Sequence, residues 1–414
     1  MPAVPLPSQE RFVTKSGHGL FGPAKAWVLS TRGRPMPGPE EAKREMTARA
    51  CRRPRERTFR LQGSFWCLYL IYWFSLLWGS PDVAYGAEEE KEAGSLVHEA
   101  AQDSWRCAGN ACRGPLTLRG QSAFQFLRLS LIPVGVEPLP AGSWQVSATT
   151  TWTNRWAWKK NKYLVDAEVL RVGFAATYGL TDWLGLRVEI PFCVRGGGIM
   201  DGFIQGFHDA FGLGQAGRDQ FSKDQFQITL WRKDGTQFAL TGKDSGIGLE
   251  DMILSSQVRL TEGGSYLPQA MLVLHLKLPT GDQGNLYGSG SVDGGVSVLL
   301  AKRIWKFFGY VSAQYTRFGG KEIAGIPMRE DQISVLTALE YPWCDRVSLV
   351  AQELVNTGAA RDFYQFSEAS HEITFGAKVE TIAGTVFELG LIENLFRFDN
   401  SPDFGVHFGL SRGF

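Results

Sequence analysis

The chain has 414 residues, a formal net charge of +1, 12% aromatic residues and 48 glycines. A charge so close to zero lacks the basic bias that nucleic-acid binding draws on, so no nucleic-acid partner is expected. A mean hydropathy of −0.13 is too polar for a bundle of membrane helices. It is compatible with a transmembrane barrel, in which only every second residue faces lipid.

Residues 1–45 are rich in Pro, Gly and charge. Residues 52–60 are strongly basic, Ser64 to Trp78 is uncharged and mostly large apolar, and small residues follow around Ala84-Tyr85-Gly86-Ala87. That order is the basic region, apolar core and cleavage zone of a signal peptide. The apolar run is shorter than the roughly 20 residues a spanning helix needs. Residues 1–87 are therefore read as an N-terminal extension and signal peptide, with Met46 as an alternative start. Residues 88–120 are polar and are expected to form a flexible periplasmic segment. Cys107 and Cys112 either close a small disulfide loop in an oxidising compartment or remain two free thiols. In 121–132, Phe124 and Phe126 share one face, and Leu127, Leu129 and Leu131 the other. This stretch either enters the lumen or adds a strand.

From about residue 142 the chain alternates apolar and polar positions. Trp144, Val146, Ala148 and Trp152 fall on one face of a first strand. Leu170, Val172, Phe174, Ala176 and Tyr178 mark a second, and Leu184, Leu186, Val188, Ile190 and Phe192 a third. Further strands are expected near 250–261, 268–279, 290–302, 305–318, 331–341, 345–356, 371–380, 384–394 and 403–414. Runs of about ten to twelve residues suit a tilted strand crossing a bilayer. Tight joins at 179–182, 303–304, 342–344 and 382–383 alternate with longer connections at 155–164, 195–249, 280–289, 319–330, 357–370 and 395–402. Short periplasmic turns and long outer loops give that alternation. The fold expected is an all-β transmembrane antiparallel barrel of about twelve strands over 121–414, in the bacterial outer membrane with outer-membrane lipid around it.

The long loop 195–249 holds Phe203, Phe207 and Phe211 at helical spacing, which reads as a short amphipathic helix. It either constricts the barrel mouth or packs its own small core. Residues 226–231 and 236–240 flank Lys233-Asp234-Gly235 as a β-hairpin. Asp201, His208 and Asp209 match no defined metal site. Gly212 to Gly217 copies the dinucleotide fingerprint, but no strand precedes it. No cofactor, metal or catalytic residue is assigned.

The faces turned from lipid carry Arg171, Arg187, Glu189, Arg259, His275, Lys277, Asp293, Glu340, Glu372, Lys378 and Glu388. They either line a hydrated pore for small solutes or pair with one another to fill the lumen. A passive channel is the leading reading. A non-conducting envelope barrel is the rival, and a membrane-embedded lipid hydrolase stands behind both.

In the last strand Phe404, Val406, Phe408, Leu410 and Phe414 share a face. This resembles the C-terminal signal by which outer-membrane barrels are recognised for assembly, and implies the assembly machinery as a partner through Phe414. Arg412 departs from the pattern. The chain also resembles a bacterial family known only as DUF 3187, over roughly residues 113–414. The resemblance rests on Arg113-Gly114-Pro115-Leu116, Tyr178-Gly179-Leu180-Thr181-Asp182, the loop from Asp201-Gly202-Phe203 to His208-Asp209-Ala210-Phe211-Gly212, and Lys277-Leu278-Pro279-Thr280-Gly281-Asp282. It implies the barrel and no particular activity.

Overall fold

The computed structural model describes residues 112–414, except 213, 265, 382–383 and 394–399. The expected extension and signal peptide (1–87), and most of the segment 88–120, lie outside the described residues.

Twelve long strands follow one another: β1 (Trp144–Lys159), β2 (Tyr163–Thr181), β3 (Leu184–Gly196), β4 (Met252–Thr261), β5 (Gln269–Leu278), β6 (Asp293–Ile304), β7 (Phe307–Phe318), β8 (Asp331–Cys344), β9 (Val347–Asn356), β10 (Ser370–Glu380), β11 (Thr385–Glu393) and β12 (Phe404–Gly413). Each pairs antiparallel with the next, and β12 returns to β1 from Gln145↔Gly413 to Asn154↔Phe404. The fold is therefore a closed antiparallel β-barrel. Closure leaves the twelve-stranded wall without a free edge, so its main-chain hydrogen bonds are made within the sheet.

Period two decides which way each side chain points. Val146, Phe174, Leu186, Leu274, Leu339 and Leu410 are exposed on the outer surface. Their odd-even opposites, such as Thr151, His275, Glu340 and His407, are buried inside. One end of the barrel is closed by tight turns at 182–183, 305–306 and 345–346, and both the start of β1 and the end of β12 lie there. The other carries the long connections 197–251, 279–292, 319–330 and 357–369. We call these the turn end and the loop end.

One expected long connection is not one. Residues 155–164 are mostly strand, since β1 runs to Lys159 and β2 starts at Tyr163. The strands extend because their loop-end halves find partners beyond the barrel: Tyr163–Asp166 pair with Gln227–Leu230, which pair in turn with Gln237–Leu240 as the expected hairpin. Gly246–Leu249 pairs with β3 above the point where β4 takes over, and the break between them falls at Glu250 and Asp251. Both carboxylates are buried there.

Helix α1 (Asp201–Phe211) forms where helical spacing was read. It does not constrict the mouth. Asn154 and Trp156 belong to the outward-facing set of β1, yet they are buried, because 200–221 folds back over the outside of the wall. The Asn154 amide donates to Asp201, Arg218 donates to Asn154 and Asp403 and pairs with Asp201, and the Trp156 indole donates to the Ala216 carbonyl. Met200 and Ile204 are buried at this contact. Phe203 and Phe207 stay 61% and 41% exposed, and the Phe203 ring lies 5.6 Å from the outward Phe404 ring. The Phe211 side chain lies outside the described residues. Burial and then Arg218 hold the His208 imidazole below its ordinary pKa.

The turn into α1 depends on Glu168. Its carboxylate accepts from the Ile199 and Met200 N–H groups, a favourable place for an anion beside a helix start. Gly198 sits against that carboxylate with φ of 71°, where a Cβ would collide with it. Gly198→Ala is expected to destabilise the barrel by about 1–3 kcal/mol, from the left-handed backbone and the displaced carboxylate. A denaturant midpoint equal to that of the unchanged protein would show that the Glu168 seat does not hold this loop.

Candidate functional site

Among the described residues, charged side chains of nearly every strand converge in the barrel interior, and it is occupied. Residues 112–140 thread it twice. The segment enters at the turn end, where Arg113 donates to the Asp345 carbonyl and pairs with Glu380 at 3.1 Å. It rises to a short 3-10 turn at Gln125–Leu127 near the loop end, where the Gln125 amide donates to the Thr357 carbonyl. It then returns, and Gln269 donates to Glu137 before Ala141 reaches Asp182 in a tight turn. Residues 113–120 are therefore not part of a flexible periplasmic segment. The stretch 121–132 enters the lumen and does not add a strand. Cys112, at the head of this segment, is disulfide-bonded; Cys107, its expected partner, lies outside the described residues.

A segment unpaired with any strand still carries N–H groups that cannot be buried bare. Side chains of the wall accept them. Glu340 accepts from the Arg113 and Gly114 N–H groups, Glu388 from Thr117, Glu372 from Gln121 and Ser122, and Asp293 from Leu129, all at 2.8–3.2 Å. The amide of Gln352 accepts from Leu116 at 2.8 Å. Glu340 also accepts from the Tyr310 hydroxyl at 2.6 Å.

The remaining interior residues pair with one another or with the segment. Lys378 pairs with Glu388 at 2.9 Å and donates to the Arg113 carbonyl. Glu189 is shared by Arg119 of the segment and Arg187 of the wall. Arg171 pairs with Glu250 and donates to the Phe126 carbonyl. Lys277 pairs with Asp251 and Asp293. His275 sits between the Ser255 and Ser297 hydroxyls at 2.9 and 3.2 Å, and His407 between the Thr151 hydroxyl and Glu388. Among the expected lining residues, Arg259 stands apart, partly exposed near the turn end and paired with Glu262 at 3.3 Å. The residues expected to line water thus mostly face protein.

Apolar contacts complete the filling. Val136 packs among Met271, Val273, Leu299, Phe308 and Tyr310 towards the turn end. Leu131 meets Leu336 and Leu354. At the loop end Phe124, Phe126 and Leu127 join Phe226, Leu230, Ile326, Phe363 and Phe366 in one cluster that closes the mouth. The Arg128 guanidinium lies 3.2 Å over the Phe318 ring and donates to the Ala359 and Arg329 carbonyls.

Sequence reading missed Glu250, Asp251, Arg119 and Arg155 as interior groups. Glu250 and Asp251 lie at the break before β4, where alternation is lost. Arg119 is outside the strands. Arg155 fell in an expected loop.

Residues 101–414 match the family described as "Protein of unknown function (DUF3187)". No curated protein matches the chain. Among solved structures, an outer membrane channel from Pseudomonas putida F1 is similar at 12% identity, covering 69% of this chain and 100% of that one, with a TM-score of 0.46. The NanC porin is similar at 8% identity, covering 65% of this chain and 98% of that one, with a TM-score of 0.38. OmpF of Salmonella typhi is similar at 10% identity, covering 66% and 97%, with a TM-score of 0.27.

The segment's hold is testable at its most buried anchor. Glu372→Ala leaves the Gln121 and Ser122 N–H groups without their acceptor, a loss of about 1–3 kcal/mol for each buried donor. Ser122 is 1% exposed, so a cysteine placed there is expected to resist a membrane-impermeant maleimide and to become reactive when Glu372→Ala is added. Equal labelling rates in the two backgrounds would show that Glu372 does not hold the segment.

Proposed function

We propose that this chain, a member of the DUF3187 family, is an outer-membrane barrel that passes small solutes and holds its own path shut with residues 112–140. The membrane assignment is supported by the outer surface. A continuous apolar face runs round the barrel, and Trp144, Trp183, Trp305, Trp343 and Phe414 stand exposed at the turn end. Such an aromatic girdle marks a membrane–water interface. The turn end then faces the periplasm and the loop end the outside. The outward set of β12, from Phe404 to Phe414, is the pattern the assembly machinery would engage, with Arg412 at the rim, where a charge costs only about 0–1 kcal/mol.

The observation that carries the solute path is how the segment is attached. Its N–H groups are held by carboxylates and an amide of the wall, not by ladder pairing. Its withdrawal breaks no bond of the barrel sheet and uncovers Glu340, Glu372, Glu388 and Asp293 to water. A polar, hydratable channel remains. The second reading is a non-conducting envelope barrel with a permanent filler, and it is favoured by the apolar cluster of Phe124, Phe126 and Leu127 at the mouth.

Single-channel recording in a planar bilayer separates the two. The intact protein is expected to be silent or to open rarely, and a Glu340→Ala, Glu372→Ala, Glu388→Ala triple variant to open in discrete steps. Steady conductance from the intact protein would remove the stopper. Silence from a folded triple variant whose Ser122→Cys site labels freely would establish the non-conducting reading.

A further inference from the structure

We infer that the outer face of α1 lies against the acyl chains of the surrounding lipid and carries the lipid-facing surface of the wall across its β1–β2 flank. Lipid contact by α1 rests on the reading of the barrel as membrane-spanning. It does not depend on whether the lumen conducts.

The helix sits at a level that a bilayer reaches. A strand tilted at about 40° climbs roughly 2.5 Å per residue, so an apolar band about 25 Å tall spans about ten residues. Counted from Trp144 in the turn-end girdle, that span ends near Asn154. The outward apolar run on this flank stops sooner. Trp152 pairs with Leu170, but the next outward pair is Asn154 with Glu168. Left bare, these groups would meet the edge of the hydrocarbon with no partner. The start of α1 and the loop after it cover them: Asn154, Glu168, Asp201 and Arg218 are each at most 3% exposed.

What covers a polar patch presents its own outer face in exchange, and on α1 that face is apolar. Gly202, Phe203, Gly206, Phe207 and Ala210 are all exposed. At about 100° per residue they share one arc of about 140°. Asp209 stands at the border of that arc and accepts from Gln215. Ile204, on the opposite side, is buried against the wall, and Ile199, just before the helix, is 74% exposed. A helix between a protein and water turns polar residues outward; one that is apolar on both faces has an apolar neighbour on both. The exposed stripe is continuous with the wall. The Phe203 ring lies 5.6 Å from Phe404, which heads the outward run of Val406, Phe408 and Leu410 on β12.

The test is photo-crosslinking of the full chain in phospholipid nanodiscs. The photoreactive residue p-benzoyl-phenylalanine replaces Phe203, Phe207, Phe408 of the wall or Tyr364 at the mouth, one at a time. All four side chains are exposed, so each replacement leaves the interior packing in place. Mass spectrometry reads what each label joins. Phospholipid adducts are expected at the Phe203 and Phe207 positions with a yield close to that at Phe408, and none at Tyr364. Adducts at Phe408 without any on α1 would overturn the inference and put the helix in water. A yield at Tyr364 equal to that on α1 would overturn it too. Links from α1 to a second copy of the chain, without lipid, would replace it by a contact between barrels. Absence of lipid adducts at Phe408 would remove the membrane reading itself, and the lipid contact of α1 with it.

Discussion

An extended chain inside a barrel has no strand to pair with, yet its N–H groups need acceptors once water is displaced. Much of the interior follows from that requirement. Glu340, Glu388, Glu372 and Asp293 are spaced along the path of residues 113–129 and take up its N–H groups. A buried carboxylate then calls for a cation or further donors. Lys378 stands beside Glu388, and Lys277 beside Asp293 and Asp251. The mixed charge of the lumen is therefore the complement of a peptide backbone.

The same rule acts on the outside of the wall. Where β1 and β2 rise past the barrel rim, outward side chains meet the returning loop. Glu168 takes the N–H groups before α1, and Asn154, Asp201, Arg218 and Asp403 form one connected polar network. That network seats α1 on the flank of the barrel and away from its mouth. The mouth is left to the hairpin and to the apolar cluster around Phe363 and Phe366.

The interior site was legible as a face and not as a set of contacts. Alternation places Glu340, Glu372, Glu388 and His275 inside, because period two sorts side chains by parity alone. It cannot show that the face meets another part of the chain. Residues 113–140 carry little periodic signal because the wall surrounds them: Leu116, Leu129 and Leu131 are buried alongside Gln121, Ser122 and Arg128. Phe203 and Phe207 have helical spacing, which establishes a helix without saying which surface it lies on.

What the sequence determined by itself is the barrel: strands long enough to cross a bilayer, the parity of each, and the alternation of short and long connections. These are local properties, written in spacing a few residues wide. What only the tertiary structure decided is the state of the lumen. The partners of Glu340 lie 227 and 226 residues away in Arg113 and Gly114, and those of Glu372 lie 251 and 250 away in Gln121 and Ser122. Contacts at that separation leave no local pattern, because a carboxylate facing water and one facing a buried N–H read identically in the chain.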